Sequence, residues 1–522
     1  MTRPGALLIL FLAMACCGGS GGGGGDVVVP PAPPPPPAEV EPNDLPAQAL
    51  DLGEVSSAIV TGSISATGSS DGLPSGDLDL VKFTPAVSGS LQVQLTVPED
   101  SDFDLGLLDE TGRLLATART TRPVEILYAR VAAGRALLIQ AGGFSGAPGA
   151  YELRFTVTPT PDASGRPEAS PMNQARCFHG AAALVGGGAI VGGGTRSAVS
   201  PEQAFLGGLS TTEVFDPETG KFTPGPGLGA GRFGVTATTL PDGRVLFAGG
   251  DLAGTGLLFD PASGKMEGEP MVMAGGMRAL HTATLLPCGR VLLAGGAKIV
   301  IAFPPTSERL STSELFDPRT GTFTAGPKLT TTRLSHAACL LADGRVLVTG
   351  GEGRSSSEII DVRDATFGST AGPALTGVRD DHTATLLTDG RILLTGGQRS
   401  NGVSVDDAEI LDDVTALPTS TFKLLDARMS TSRADHISIL LPDGTVLILG
   451  GELDPASGPD IILTSVDLFD PATAAFRPLP DLEVGHDDHR AVLLTDGRVL
   501  VTGGEDKDAK AIDSVEAVIT PD

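Results

Sequence analysis

The chain has 522 residues, with 63 acidic against 36 basic side chains, a formal net charge of −27 and a pI near 4.5. That balance excludes a nucleic-acid partner, because such binding needs a basic footprint. The length allows two or three domains. Seventy Gly and 40 Pro against 4% aromatics point to many turns between short strands, so the expected class is all-β.

Residues 1–16 carry one Arg, an apolar run over 6–15 and then Cys16. The run is too short to span a bilayer and suits the core of a secretion signal. L-A-M-A-C at 12–16 resembles the bacterial lipobox, with Ala13 where Leu is usual. The resemblance implies cleavage before Cys16, which then carries lipid; cleavage before Cys17 is the alternative. Residues 17–38 follow as a Gly/Pro-rich tether, and the proline run at 30–37 favours extended polyproline II at about 3 Å per residue. The implied location is the bacterial cell envelope, at the outer membrane and facing periplasm or exterior, with the membrane met through the lipid alone.

Residues 39–158 alternate apolar and polar positions, as in L-Q-V-Q-L-T-V at 91–97 and Y-E-L-R-F-T-V at 151–157. Such strands have one packed face, and several of them between Gly, Asp and Pro turns make a β-sandwich. E-P-N-D at 41–44, D-L-D-L-V-K-F at 77–83, L-G-L-L-D at 105–109 and G-A-Y-E-L at 149–153 resemble the bacterial pre-peptidase C-terminal domain. In that family the domain accompanies secreted enzymes and is not the catalyst, and some relatives hold calcium near the acidic start. Carried over, Glu41, Asn43, Asp44, Asp77 and Asp79 are candidate calcium ligands. Turn-forming and strand-capping roles account for the same residues without a metal.

From residue 159 to 522 one unit recurs. R-L-S-H-A-A-C-L-L-A-D-G-R-V-L-V-T-G-G at 333–351 reads as strand, Asp-Gly turn and strand, with positive φ expected at both turn residues of a two-residue hairpin. The closing double glycine appears at Gly193-Gly194, Gly249-Gly250, Gly295-Gly296, Gly350-Gly351, Gly396-Gly397, Gly450-Gly451 and Gly503-Gly504. A third strand, an Asp-Pro turn suited to type I and a fourth strand with Phe222 or Phe323 complete the unit. Hydrophobic run, double glycine and spaced aromatics resemble the kelch repeat, although Phe, Ile or Leu stand where that family has Tyr and Trp. The resemblance implies a seven-bladed β-propeller like that of galactose oxidase, and one blade alone cannot bury both its faces. The seventh unit lacks a fourth strand, so residues near 165–170 are expected to supply it and close the ring.

Chain direction puts the tight Asp-Gly turns on one rim. Loops of unequal length at 195–209, 297–310 and 452–463 fall on the other, where a rigid scaffold carries its binding functions. Arg-x-x-His recurs at the start of strand one, a pattern expected of blade-to-blade hydrogen bonding. Arg379, Asp381, His382, Arg433, Asp435, His436, Asp488 and His489 form the candidate binding face, where one sector gathers carboxylates.

Catalytic signatures are missing from the repeat region: no H-E-x-x-H, G-x-S-x-G, C-x-x-C or phosphate-binding loop occurs within residues 159–522. The galactose oxidase and sialidase mechanisms need propeller tyrosines, and the two present, Tyr128 and Tyr151, lie before it. Cys177, Cys288 and Cys339 show neither a disulfide framework nor metal-ligand spacing. The sequence therefore reads as a non-catalytic scaffold for a protein or polymer ligand, with no resident cofactor beyond calcium. The alternative is a metal-assisted enzyme acting on a glycan through Asp381, Asp435 and Asp488.

Overall fold

A computed structural model describes residues 49–64, 69–70, 73–74, 78–97, 101–118, 124–146, 149–160, 166–197, 206–300, 306–362, 368–412, 417 and 420–518. Cys16, Cys17, the tether, Glu41, Asn43, Asp44 and Asp77 lie outside them. The fold is all-β, and no helix among the described residues is long and apolar enough to cross a membrane.

The sandwich has a five-stranded sheet, in the order Leu50–Val55, Leu78–Pro85, Leu137–Gly146, Ser101–Asp109 and Leu114–Ala118. Against it stands a four-stranded sheet, Ser57–Ile64, Gly149–Pro159, Gly89–Thr96 and Val124–Val131. Alternation drives this packing: Leu91, Val93 and Leu95 turn inward from one strand, and Leu153, Phe155 and Val157 from its neighbour. Asp79 is fully buried within its strand.

Six four-stranded sheets and a final three-stranded sheet then follow in chain order. Each second strand is buried throughout, as in Val346–Thr349, because both its faces meet neighbouring blades. Outer strands touch one partner only and are more exposed, although their aromatic still packs: the rings of Phe316 and Phe323 lie 4.9 Å apart.

Between strands one and two the loop is one residue longer than the sequence suggests. Leu341 N–H donates to Arg345 at 2.7 Å and Gly344 to Leu341 at 2.9 Å, which encloses three residues. Only the glycine is left-handed, at φ 86°, as in a type I turn followed by a bulge. Asp343 is there for its carboxylate, which accepts from the Arg345 amide at 3.1 Å and pairs with its guanidinium at 2.7 Å.

The double glycines join the blades. In each blade the second glycine donates its N–H to the first residue of the next Arg-x-x-His motif: Gly194 to Arg232, Gly250 to Arg278, Gly296 to Arg333, Gly351 to Arg379, Gly397 to Arg433 and Gly451 to His486. Gly504 donates to Arg176 at 2.9 Å, and the circuit returns to its start. Both glycines have positive φ in every copy.

Residues 166–176 contact both blade one and the last blade. Met172 donates to Asp513 at 2.9 Å and Arg176 to Ile512 at 3.1 Å, as Leu329 and Arg333 do to Ser311 and Leu310 within one interior joint. Met172 packs with Leu494, Leu500 and Val515. Described residues 166–170 do not form the expected ladder with Val515–Val518; Arg166 pairs with Glu218 and Ser170 bonds Gly220, both on blade one's outer turn.

The sandwich meets the tight-turn rim. Tyr128 N–H donates to Pro241 at 2.7 Å, Arg113 to the Ala342 carbonyl at 2.8 Å, and Arg130 to Leu494. Buried Arg319 pairs with Asp104 at 2.9 Å. The other rim carries the loop at 452–463, and isolated bridges such as Asp380 with Gln398 and Ala434 with Glu452 tie it to the strand-one starts.

Candidate functional site

Each blade begins strand one with a residue in the left-handed region, one place before the motif histidine. These are Phe178, Gly234, Leu280, Ser335, Asp381, Asp435 and Asp488, at φ between 49° and 60°. Their backbones bond to one another around the axis: Gly234 to Phe178, Leu280 to Gly234, Asp381 to Ser335, Asp435 to Asp381 and Phe178 to Asp488, at 2.9–3.2 Å. The girdle holds six side chains at a conformation that non-glycine residues rarely adopt, and Asp tolerates it better than a branched residue.

Asp381, Asp435 and Asp488 thereby enter one cavity of about 400 Å³, with Phe178, Leu280, Ile437 and Arg490 on its wall. Burial pushes the Asp381 carboxyl up to about 6, helped by Asp380 and opposed by hydrogen bonds to Ser335 and Asp435. Burial, then the charges of Asp381 and Asp488, hold Asp435 well above the usual range. Burial and Asp487 do the same to Asp488. Two carboxyls in hydrogen-bond contact share a proton. Arg490 is the cation facing Asp488 and Asp435.

These shifts predict a sign. A carboxyl whose folded value lies near 6 rather than about 4 loses stability as pH rises between those values. Asp381→Asn is therefore expected to stabilise the fold by on the order of 2–3 kcal/mol at pH 8 and by almost nothing at pH 4. Urea unfolding at the two pH values checks it; equal effects at both would contradict the buried, protonated pair.

The remaining members of the candidate face are inside the wheel. Arg379 is fully buried and donates to Gly396 O at 2.6 Å, to Glu409 at 2.8 Å and to Asp407. Arg433 likewise holds Gly450 O at 3.1 Å and Asp467 at 2.9 Å. Neither guanidinium is available to a ligand. His382 and His436 reach the cavity wall, yet their Nε2 atoms bond Thr349 at 2.8 Å and Thr395 at 2.9 Å in the preceding blade. Burial and then the adjacent arginine push His382 down to about 3, so it stays neutral. His489 is fully buried, and Leu449 and Ile437 stand where other blades offer a threonine.

Sequence reasoning left the acid of the third strand without a role. Glu213, Glu314, Glu358, Glu409, Asp467 and Glu516 each face the Arg or His of their own blade. Blade two has Leu257 at that position and uses Asp251 instead, 3.3 Å from Arg232. The signal was present: an acid inside an otherwise apolar strand in six of the seven repeats, matched by an arginine in five of them and by His486 in the last.

The three central aspartates do not form a ligand set of their own. Among the described residues, the acidic group whose ligand atoms come within 4.8 Å of one another is Glu452, Asp454 and Asp460 on the same rim.

Comparison with known proteins gives likeness of fold. No family model matches the sequence, and no curated protein is similar to it. Among solved structures, a novel fungal alcohol oxidase of the AA5 family, in complex with copper, aligns with a TM-score of 0.54 and 19% identity, over 69% of this chain and 77% of that one. YjhT aligns with a TM-score of 0.46 and 14% identity, over 55% of this chain and 95% of that one. The first likeness agrees with a kelch-type propeller of the galactose oxidase kind.

Proposed function

We propose that the protein is a non-catalytic, envelope-anchored scaffold that takes a basic group of a protein or polymer partner into the acidic depression of its open rim. One observation carries this reading: the sandwich meets one rim, while the other presents Asp381, Asp435 and Asp488 in a single cavity. A carboxylate cluster facing a low-dielectric wall favours an incoming cation strongly, because each buried charge lacks a full counter-charge. A protonated amine that enters displaces the shared proton and satisfies both oxygens. Anchoring rests on the lipobox-like Cys16 and the tether that follows, and the first domain's likeness to the pre-peptidase C-terminal domain suits a secreted protein.

The test is capture from envelope extract by the full chain and by Asp381→Asn/Asp435→Asn/Asp488→Asn. Partners held by the wild type and released by the triple variant support the reading; equal capture removes the depression from it. Metabolic labelling with a palmitate analogue tests the anchor, and label that persists in a Cys16→Ala/Cys17→Ala variant would end that part.

A second reading, a metal-assisted enzyme on a glycan, draws on the likeness to an alcohol oxidase. Copper does not fit the donors here. The propeller contains no tyrosine, and the cavity histidines His281, His336, His382 and His436 commit Nε2 to threonine hydroxyls at 2.8–3.1 Å.

A further inference from the structure

The loop after the sixth double glycine folds back on itself, with Glu452–Leu453 paired to Ile461–Ile462. The reversal brings carboxylate oxygens of Glu452, Asp454 and Asp460 within 4.8 Å of one another. Such a group is common on surfaces and means little alone. Behind it, however, stands Asp487 of blade seven, only 7% exposed and with an Oδ1 that has no hydrogen-bond partner. The Gly451 N–H to His486 O bond, at 2.8 Å, puts residues 452 and 487 side by side across the joint. Asp487 is the charge felt most strongly at Glu452, and Asp454 faces Asp487 in turn.

Blade five fixes the geometry from the other side. Gln398 donates to Asp454 Oδ2 at 2.5 Å and Ser404 Oγ to the same oxygen at 2.9 Å. None of the four carboxylates is ion-paired to Lys or Arg among the described residues. A buried carboxylate oxygen left without donor or counter-charge is costly, and a cation removes that cost.

We propose that Glu452, Asp454 and Asp460, backed by Asp487, bind a hard divalent cation of the calcium class. Calcium takes oxygen ligands at about 2.3–2.6 Å, so oxygens sharing one ion lie within about 5 Å of one another. The ion would pin the blade-six loop to blades five and seven. Through the bridge between Ala434 and Glu452 it would also stand next to Asp435 of the central depression. The site is separate from the candidate calcium ligands of the first domain and from the three central aspartates.

The test is calorimetric titration of the chelator-stripped full chain with calcium chloride. Wild type is expected to bind, and Asp460→Asn, at an exposed position, to bind at least about tenfold more weakly, since even outer-shell losses cost that much. Glu452→Gln should behave alike, so the result does not hang on one variant's folding. Asp381→Asn leaves all four carboxylates in place and should weaken binding far less than Asp460→Asn, which separates this site from the depression. No calcium heat in the wild type, or unchanged affinity in both Glu452→Gln and Asp460→Asn, overturns the proposal; heat that survives in both belongs elsewhere in the chain.

Discussion

Arg379→Ala is expected to lower the stability of the fold by about 3–5 kcal/mol, with the midpoint of denaturant unfolding shifted and its slope unchanged. The guanidinium is fully buried and serves Gly396 O, Glu409 and Asp407 together. Its loss strands the Glu409 carboxylate, itself fully buried, with Thr376 N–H at 2.7 Å as the donor that remains. Removing both charges is a different matter: Arg379→Met/Glu409→Met should lose far less, because Asp407 keeps its ion pair with Arg399 and no uncompensated ion stays behind. Blade two already shows that the pairing can be rebuilt, with Asp251 serving Arg232. If the single and double variants were equally unstable, packing and not charge would govern the joint.

Gly350→Ala should cost about 2–5 kcal/mol, combining a left-handed backbone penalty with a clash that cannot relax. A Cβ there would stand 2.3 Å from the Arg379 carbonyl and 2.7 Å from His382 Cε1, at φ +60°. Gly353 supplies the control, for it is also left-handed at φ +70° but has nothing within 4 Å. Gly353→Ala should lose only the backbone part, about 1 kcal/mol. Equal losses at the two positions would show that the double glycine serves the turn and not the contact between blades.

Much of this wheel could be read from local chemistry. Gly350-Gly351 and its counterparts announce positive φ and close approach, and the alternation in L-Q-V-Q-L-T-V at 91–97 announces a one-sided sheet. What escaped the reading depends on contacts across blades. Asp343-Gly344 was expected as a two-residue hairpin, but the choice of a three-residue loop rests on the Asp343 to Arg345 bonds. Asp381, Asp435 and Asp488 were singled out as a sector, yet nothing local reveals that their backbones are left-handed and bonded to the same position of a neighbouring blade. Arg379 and Arg433 were expected to take part in hydrogen bonding between blades and were also placed on the candidate face, because sequence alone does not show the acid waiting at Glu409 or Asp467. Glu452, Asp454, Asp460 and Asp487 come together only because blade six folds a loop against blade seven.

The most direct test of the open rim as the working face is binding of a labelled oligolysine peptide to the full chain at low salt and pH 8. Wild type should bind, and Asp381→Asn/Asp435→Asn/Asp488→Asn should lose at least about tenfold, a change of 1.4 kcal/mol or more. Asp343→Asn/Asp389→Asn/Asp443→Asn removes the same charge from the tight-turn rim and should bind as wild type does. Equal loss in the two triple variants would reduce the attraction to net charge and contradict the depression as the place where this protein meets its partner.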